Sequence, residues 1–186
     1  MRTGLWISIA VSVAALAAAA AFYTLGGEDA PPVAGSVRNF TVAGAGMPAP
    51  TTAVYGPDGG AATLARYQGK LVVLNFWATW CGPCVRELPA LQRLSETLPP
   101  ERARVVLLSQ DRGGFATIAP FLDKLGIAIA DSYFDDKLAF SRIAGVAALP
   151  TTILIGPDGK ELGRLTGHAE WDSPEALALI RHYLAE

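Results

Sequence analysis

From residue 50 onward the spacing of apolar positions changes several times, and each change predicts an element. Residues 71–77, Leu-Val-Val-Leu-Asn-Phe-Trp, are apolar on both alternating faces, the pattern of a central strand covered on both sides. Val85, Leu88, Leu91, Leu94 and Leu98 then recur at helical spacing on one face. Pro99-Pro100 stops that helix, and Pro89 inside it predicts a kink. Residues 105–108 read as a second buried strand, and a helical pattern returns over 116–125 until Gly126 ends it. A short strand near 128–130 and a segment over 137–143 follow. The turn Gly56-Pro57-Asp58-Gly59 joins Val54-Tyr55 to residues 62–67 as a small hairpin. A second such turn, Gly156-Pro157-Asp158-Gly159, joins residues 152–155 to 161–165. Ser173-Pro174-Glu175 starts a last helix, a capping serine followed by proline at the first helical position, with Leu177, Ile180 and Leu184 as its buried face. The order of elements defines an α/β domain whose central mixed sheet is flanked by helices.

The leader reads differently. Residues 5–25 carry no charge, and as a helix they would span about 31 Å at about 1.5 Å per residue, close to a bilayer core. Arg2 lies before the run and Glu28-Asp29 after it, so the positive-inside rule keeps the amino terminus in the cytoplasm and exports the rest. Residues 1–25 are expected to be a transmembrane anchor. The alanines at 17–21 also offer cleavage sites, so a signal peptide is the alternative. Either way the domain reaches an oxidising compartment. Residues 26–50, rich in Gly, Ala and Pro, read as a flexible tether that could add an edge strand over 37–42, and 51–186 as the folded domain. Arg2 is the only charge before Glu28, which leaves 14 basic against 17 acidic groups beyond it. That balance is no footprint for nucleic acid or anionic lipid.

The candidate chemistry lies between the central strand and the long helix, at Trp80-Cys81-Gly82-Pro83-Cys84. A thiolate at a helix start is stabilised by unpaired N–H groups and the helix dipole, and the thiolate is the species that attacks a disulfide. Cys84, about one turn on, can close onto Cys81 and release a mixed disulfide. Pro83 sits where a missing N–H costs little, and Gly82 removes bulk beside the attacking sulfur. Two blander readings compete. A structural disulfide closing so small a loop would constrain the unfolded chain only weakly. A zinc site wants four ligands, and only His168 and His182 remain, neither at ligand spacing. These histidines read as ordinary surface or loop residues.

The stretch from Asn75 to Cys84 resembles the active-site signature of the thioredoxin superfamily, and more narrowly the TlpA/ResA branch of membrane-anchored bacterial thiol–disulfide oxidoreductases. Glu87-Leu88-Pro89 after the second cysteine, the loop Leu149-Pro150-Thr151-Thr152 and the ending Gly167-His168-Ala169-Glu170-Trp171 are similar to that branch, the last to rhizobial-type TlpA proteins. Asn75 stands where other thioredoxins carry a buried aspartate. The resemblance covers roughly residues 50–185 and implies a thioredoxin-like fold with an N-terminal hairpin and a central strand–helix insertion. The 69-residue step from Cys81 to Pro150 leaves room for that insertion. Some relatives carry a second, structural cysteine pair; this chain has none.

What the resemblance implies for the site is specific. Cys81 is the nucleophile, Cys84 the resolving thiol and Glu87 its proton acceptor. Pro150 is cis, turning the Leu149 backbone toward the sulfurs to pair with a bound peptide. Trp80, Gly82, Pro83, Leu149 and Thr151 contact the partner, and Asn75 is a buried polar group near the site. No metal, and no cofactor beyond the Cys81–Cys84 pair, is expected. The implied partners are exported proteins with thiols or disulfides, of the cytochrome c or copper-centre assembly type, and a transmembrane thiol electron donor. The implied location is the bacterial inner membrane with the catalytic domain in the periplasm, or a soluble periplasmic form after signal cleavage. Two rivals stand beside the reductant: a disulfide oxidase or isomerase, and a metallochaperone using both cysteines without turnover.

Overall fold

The computed structural model describes residues 30–44 and 46–185, so the expected anchor at 1–25 lies outside the described residues. Eight strands are β1 (Thr41–Val42), β2 (Val54–Tyr55), β3 (Ala61–Ala62), β4 (Leu71–Trp77), β5 (Ala103–Ser109), β6 (Ser132–Phe134), β7 (Thr151–Ile155) and β8 (Glu161–Thr166). Helices are α1 (Gly82–Thr97), α2 (Phe115–Leu125), α3 (Ala139–Ile143) and α4 (Pro174–Ala185). The strands form one sheet in the order β1-β8-β7-β4-β5-β6-β2-β3. β4, β5 and β6 run parallel, and β7 returns antiparallel to β4 before the β7–β8 hairpin. This is the thioredoxin-like arrangement, a mixed sheet with helices on its faces.

Every residue of β4 is buried, and the period of two explains how. Leu71, Val73 and Trp77 join one core with Leu88, Leu91 and Leu94 of α1, Ile118 of α2, and Leu179 and Ile180 of α4. Val72, Leu74 and Phe76 join a second core on the opposite face, with Val106, Leu108, Ile153 and Phe140. Asn75 shares the first face, so its amide is sunk among apolar side chains beneath α1.

Several expectations are corrected. No strand forms at 128–130. The Ala128 amide donates to the Gln92 side chain on α1 instead of to a ladder, while Ile127 and Ile129 turn into the core. The third parallel strand is β6, pairing with β5 from Leu107↔Ser132 onward. The segment over 137–143 is a 3-10 turn, Asp136–Leu138, followed by the short α3. Lys137 and Leu138 hold left-handed backbone there, at φ 55° and 58°. The first hairpin is brief, and Leu64–Tyr67 is a 3-10 helix. α4 begins as expected, with Ser173 Oγ accepting from the Ala176 amide at 3.2 Å. Its buried face is Ala176, Leu179, Ile180 and Tyr183, with Leu177 and Leu184 only half-buried. The stretch expected as a tether is not free over its second half. Val37 and Phe40 are core residues, and β1 pairs with β8 as an edge strand. Among the described residues no helix is long and apolar enough to cross a membrane.

Candidate active site

β4 ends at Trp77, and three residues carry the chain to Cys81. That bend is fixed from the side by Asp111, which follows β5. Its carboxylate accepts from the Thr79 amide at 2.9 Å, the Thr79 hydroxyl at 2.7 Å and the Ser109 hydroxyl at 2.7 Å. Cys81 is thereby held at the N-cap of α1, with its sulfur accepting from the Cys84 amide at 3.3 Å. This is the helix-start environment that favours a thiolate. The cysteines form a disulfide, with Cα atoms 5.3 Å apart. Cys84 is wholly buried, whereas Cys81 lines an open groove of about 500 Å³. Attack from outside can reach only Cys81.

Trp80, Gly82 and Pro83 form one side of the groove and Leu138, Val146 and Leu149 the other. Trp80 is 70% exposed. The Leu149–Pro150 peptide is cis. Thr151 Oγ1 donates to the Ala148 carbonyl at 2.8 Å and Gly167 N to the Pro150 carbonyl at 2.8 Å, which ties this loop to the sheet. Among the described residues the Leu149 N–H and C=O have no hydrogen-bond partner, so an extended peptide laid in the groove could pair with them. Thr151, expected to contact a partner, is buried and turned into the loop.

Glu87 lies three residues beyond Cys84, on the neighbouring helix face, and is fully buried. Its Oε1 accepts from Asn75 Nδ2 at 2.7 Å, and Oε2 from the Ala169 amide at 3.2 Å. Asn75 also donates to Thr152 Oγ1 at 2.9 Å, linking α1, β4 and β7. Burial raises the Glu87 carboxyl to about 7; the donors Asn75 and Ala169 hold it from rising further. The terminal Gly167-to-Trp171 motif thus delivers the Ala169 amide to Glu87. His168 is exposed and His182 half-buried on α4.

The structure gathers Trp80, Cys81, Gly82, Pro83 and Leu149 around one groove, and Asn75, Cys84 and Glu87 in the core behind it. Sequence reasoning missed Thr79, Ser109 and Asp111; the contacts of Thr79 with Asp111 cross 32 residues and leave no local pattern. It also missed Gln110, Leu138, Ser141 and Arg142, which the inserted segment and the end of β5 bring to the groove.

A parallel-cored α/β sheet, a cysteine pair opening the helix after its central strand, and a cis-proline loop facing that pair define a thioredoxin-fold enzyme of thiol–disulfide exchange. The chain belongs to the Redoxin family, whose match spans residues 44–180, and is a thiol–disulfide oxidoreductase of the ResA type. ResA of Bacillus anthracis is 31% identical over 122 residues, covering 66% of this chain and 69% of the relative. ResA of Geobacillus thermodenitrificans is 30% identical over 127 residues, 68% of this chain and 72% of the relative. Among solved structures, a Chlorobium tepidum thiol:disulfide interchange protein of the DsbE type superposes with TM-score 0.67 at 29% identity, covering 75% of this chain and 96% of that one. StoA of Bacillus subtilis shares the fold, at TM-score 0.58 and 19% identity over 75% of this chain and all of its own, 100%.

Proposed function

We propose that this oxidoreductase works outside the cytoplasm as a dithiol reductant of exported proteins, tethered to the bacterial inner membrane by residues 1–25. The Cys81 thiolate attacks a substrate disulfide, forming a Cys81–substrate disulfide and releasing one substrate thiolate. Cys84, giving its proton to Glu87, attacks the Cys81 sulfur and releases the second. Two electrons pass to the substrate, two protons complete its thiols, and the Cys81–Cys84 disulfide remains; no other cofactor takes part. A transmembrane thiol donor returns the pair to the dithiol. The cis Pro150 loop and Trp80 seat the substrate, which the likeness to ResA-type relatives suggests is of the cytochrome c or copper-centre assembly kind.

The observation that carries this reading is Glu87. A buried resolving thiol three residues before a buried carboxyl poised near neutrality on one helix is what a dithiol needs to clear a mixed disulfide, since Cys84 must lose its proton to attack. A disulfide donor runs the same step in reverse, with protonated Glu87 giving its proton to the departing Cys84 thiolate, so Glu87 speaks for exchange through Cys84 and the reduction potential decides the direction.

The reduction potential of the full chain in detergent, equilibrated against glutathione or dithiothreitol buffers, tests the direction. A value below about −200 mV is expected. A value near about −120 mV would make the protein a disulfide donor, and a pair that does not cycle would favour metal binding.

A further inference from the structure

Exchange at Cys81 requires a substrate segment in the groove, and the groove is not chemically neutral. Its floor is uncharged, with Gln110 Nε2 donating to Ser141 Oγ at 2.9 Å. Its walls are apolar, and the one side chain charged at neutral pH that lines it is Arg142. Arg142 is exposed, and its guanidinium has no partner among the described residues. Four arginines elsewhere are engaged, Arg93 with Asp172, Arg164 with Glu161, Arg104 with Asp131 and Arg66 with Tyr133, while Arg142, among the described residues, is free at the groove itself. Another guanidinium without a partner among the described residues, that of Arg86, reaches to 3.8 Å from where a Cβ on Gly82, a lining residue of the groove, would lie.

The nearby acids do not answer these charges. Asp111 is committed to Thr79 and Ser109. Asp135 accepts from the Phe140 and Ser141 amides, both at 2.8 Å, which pins α3 and the backbone next to Arg142. Asp136 lies on the adjoining pocket with its oxygen 3.9 Å from Lys137 Nζ. The groove's own lining therefore carries one positive charge and no carboxylate, in a chain that beyond its leader has more acidic than basic groups.

We propose that Arg142 is a specificity-determining residue: it selects substrate segments that carry an aspartate or glutamate beside the reactive cysteine. The inference rests on exchange at Cys81 and holds for either direction of electron flow. A carboxylate two or three residues along an extended peptide would meet the guanidinium in a charge-assisted pair while the cysteine stays over Cys81.

The test uses the reduced full chain in detergent and short peptides whose single cysteine is blocked as a mixed disulfide with mercaptoethanol. The peptides differ only in Glu, Gln or Lys at the positions flanking the cysteine. Comparing rate constants between peptides within one variant cancels any change in Cys81 reactivity. At low salt the wild-type chain is expected to react about three-fold faster with Glu than with Gln, and slower again with Lys, with the spread shrinking as salt rises. Arg142→Lys should keep the order, Arg142→Ala flatten it and Arg142→Glu invert it. Equal rates for the Glu and Lys peptides in the wild type would overturn the proposal. Failure to react with bis(2-hydroxyethyl) disulfide would instead overturn exchange at Cys81 itself, and this inference with it.

Discussion

Glu87 concentrates the physics of the site in one side chain. It is fully buried, and two donors, Asn75 and the Ala169 amide, are too few to offset its loss of water, so its carboxyl sits at about 7 against an ordinary 4.5. Because the folded value lies above the unfolded one, the fold favours the protonated form. The contribution to stability is complete below about pH 4.5 and is lost as pH rises through about 7, a change of about 3 kcal/mol for a shift of this size. Glu87→Gln has no proton to lose, so denaturant titrations from pH 5 to 8 should show a falling midpoint in the wild type and a flatter one in the variant. The same substitution removes the acceptor for the Cys84 proton. Single-turnover release of a mixed disulfide should slow by about 10²-fold, and the wild-type rise in rate near pH 7 should vanish. A Gln variant with wild-type kinetics would leave Glu87 as a buried structural carboxyl. The sequence sets Glu87 three residues beyond Cys84 on one helix, and both side chains are buried there. It could not show that Asn75, Ala169 and Trp171 enclose it, because those contacts are set by how strands stack beneath α1.

At the scale of elements, legibility followed periodicity. β4 and α1 were readable because a run of apolar residues interrupted only by Asn75, and a stripe of one valine and four leucines, leave few alternatives. In the insertion between β5 and β7 the helix ended by Gly126 was readable too, and the segment after β6 was not. Its turn is made by Lys137 and Leu138 in left-handed backbone, which no glycine announces. What holds that turn is Asp135, buried and bonded to two amides of α3, with its own amide donating to the Ser109 carbonyl at 2.8 Å. Removing the carboxylate strands both amides away from water. Asp135→Ala is expected to cost about 2 kcal/mol and to raise hydrogen exchange at Phe140 and Ser141. It should also weaken discrimination among charged peptides, because α3 carries Arg142. Unchanged exchange at those two amides would mean that packing of Phe140 alone fixes the element.

At the scale of the molecule, the chain before Pro50 decides where the domain ends. Read from composition, rich in Gly, Ala and Pro, it is a spacer with room for one edge strand over 37–42, and nothing in it marks Val37 and Phe40 as core. In three dimensions they close the far edge of the sheet. Phe40 packs over β8 at Gly163, where a Cβ would fall 2.5 Å from its ring, and its ring lies 6.3 Å from that of Tyr183 on α4. The fit is reciprocal: only glycine at 163 admits the ring, and only an aromatic of this reach bridges β8 to α4. Phe40→Ala in the full chain should therefore cost about 3 kcal/mol, as for other buried aromatics, and lower Tm by about 10 °C. Met47 comes from the same composition but is 70% exposed, so Met47→Ala should leave Tm unchanged. A spacer would tolerate both substitutions equally. Thermal unfolding of the two variants side by side separates the cases, and a Phe40→Ala chain as stable as the wild type would return residues 32–42 to the status of a tether resting on the domain.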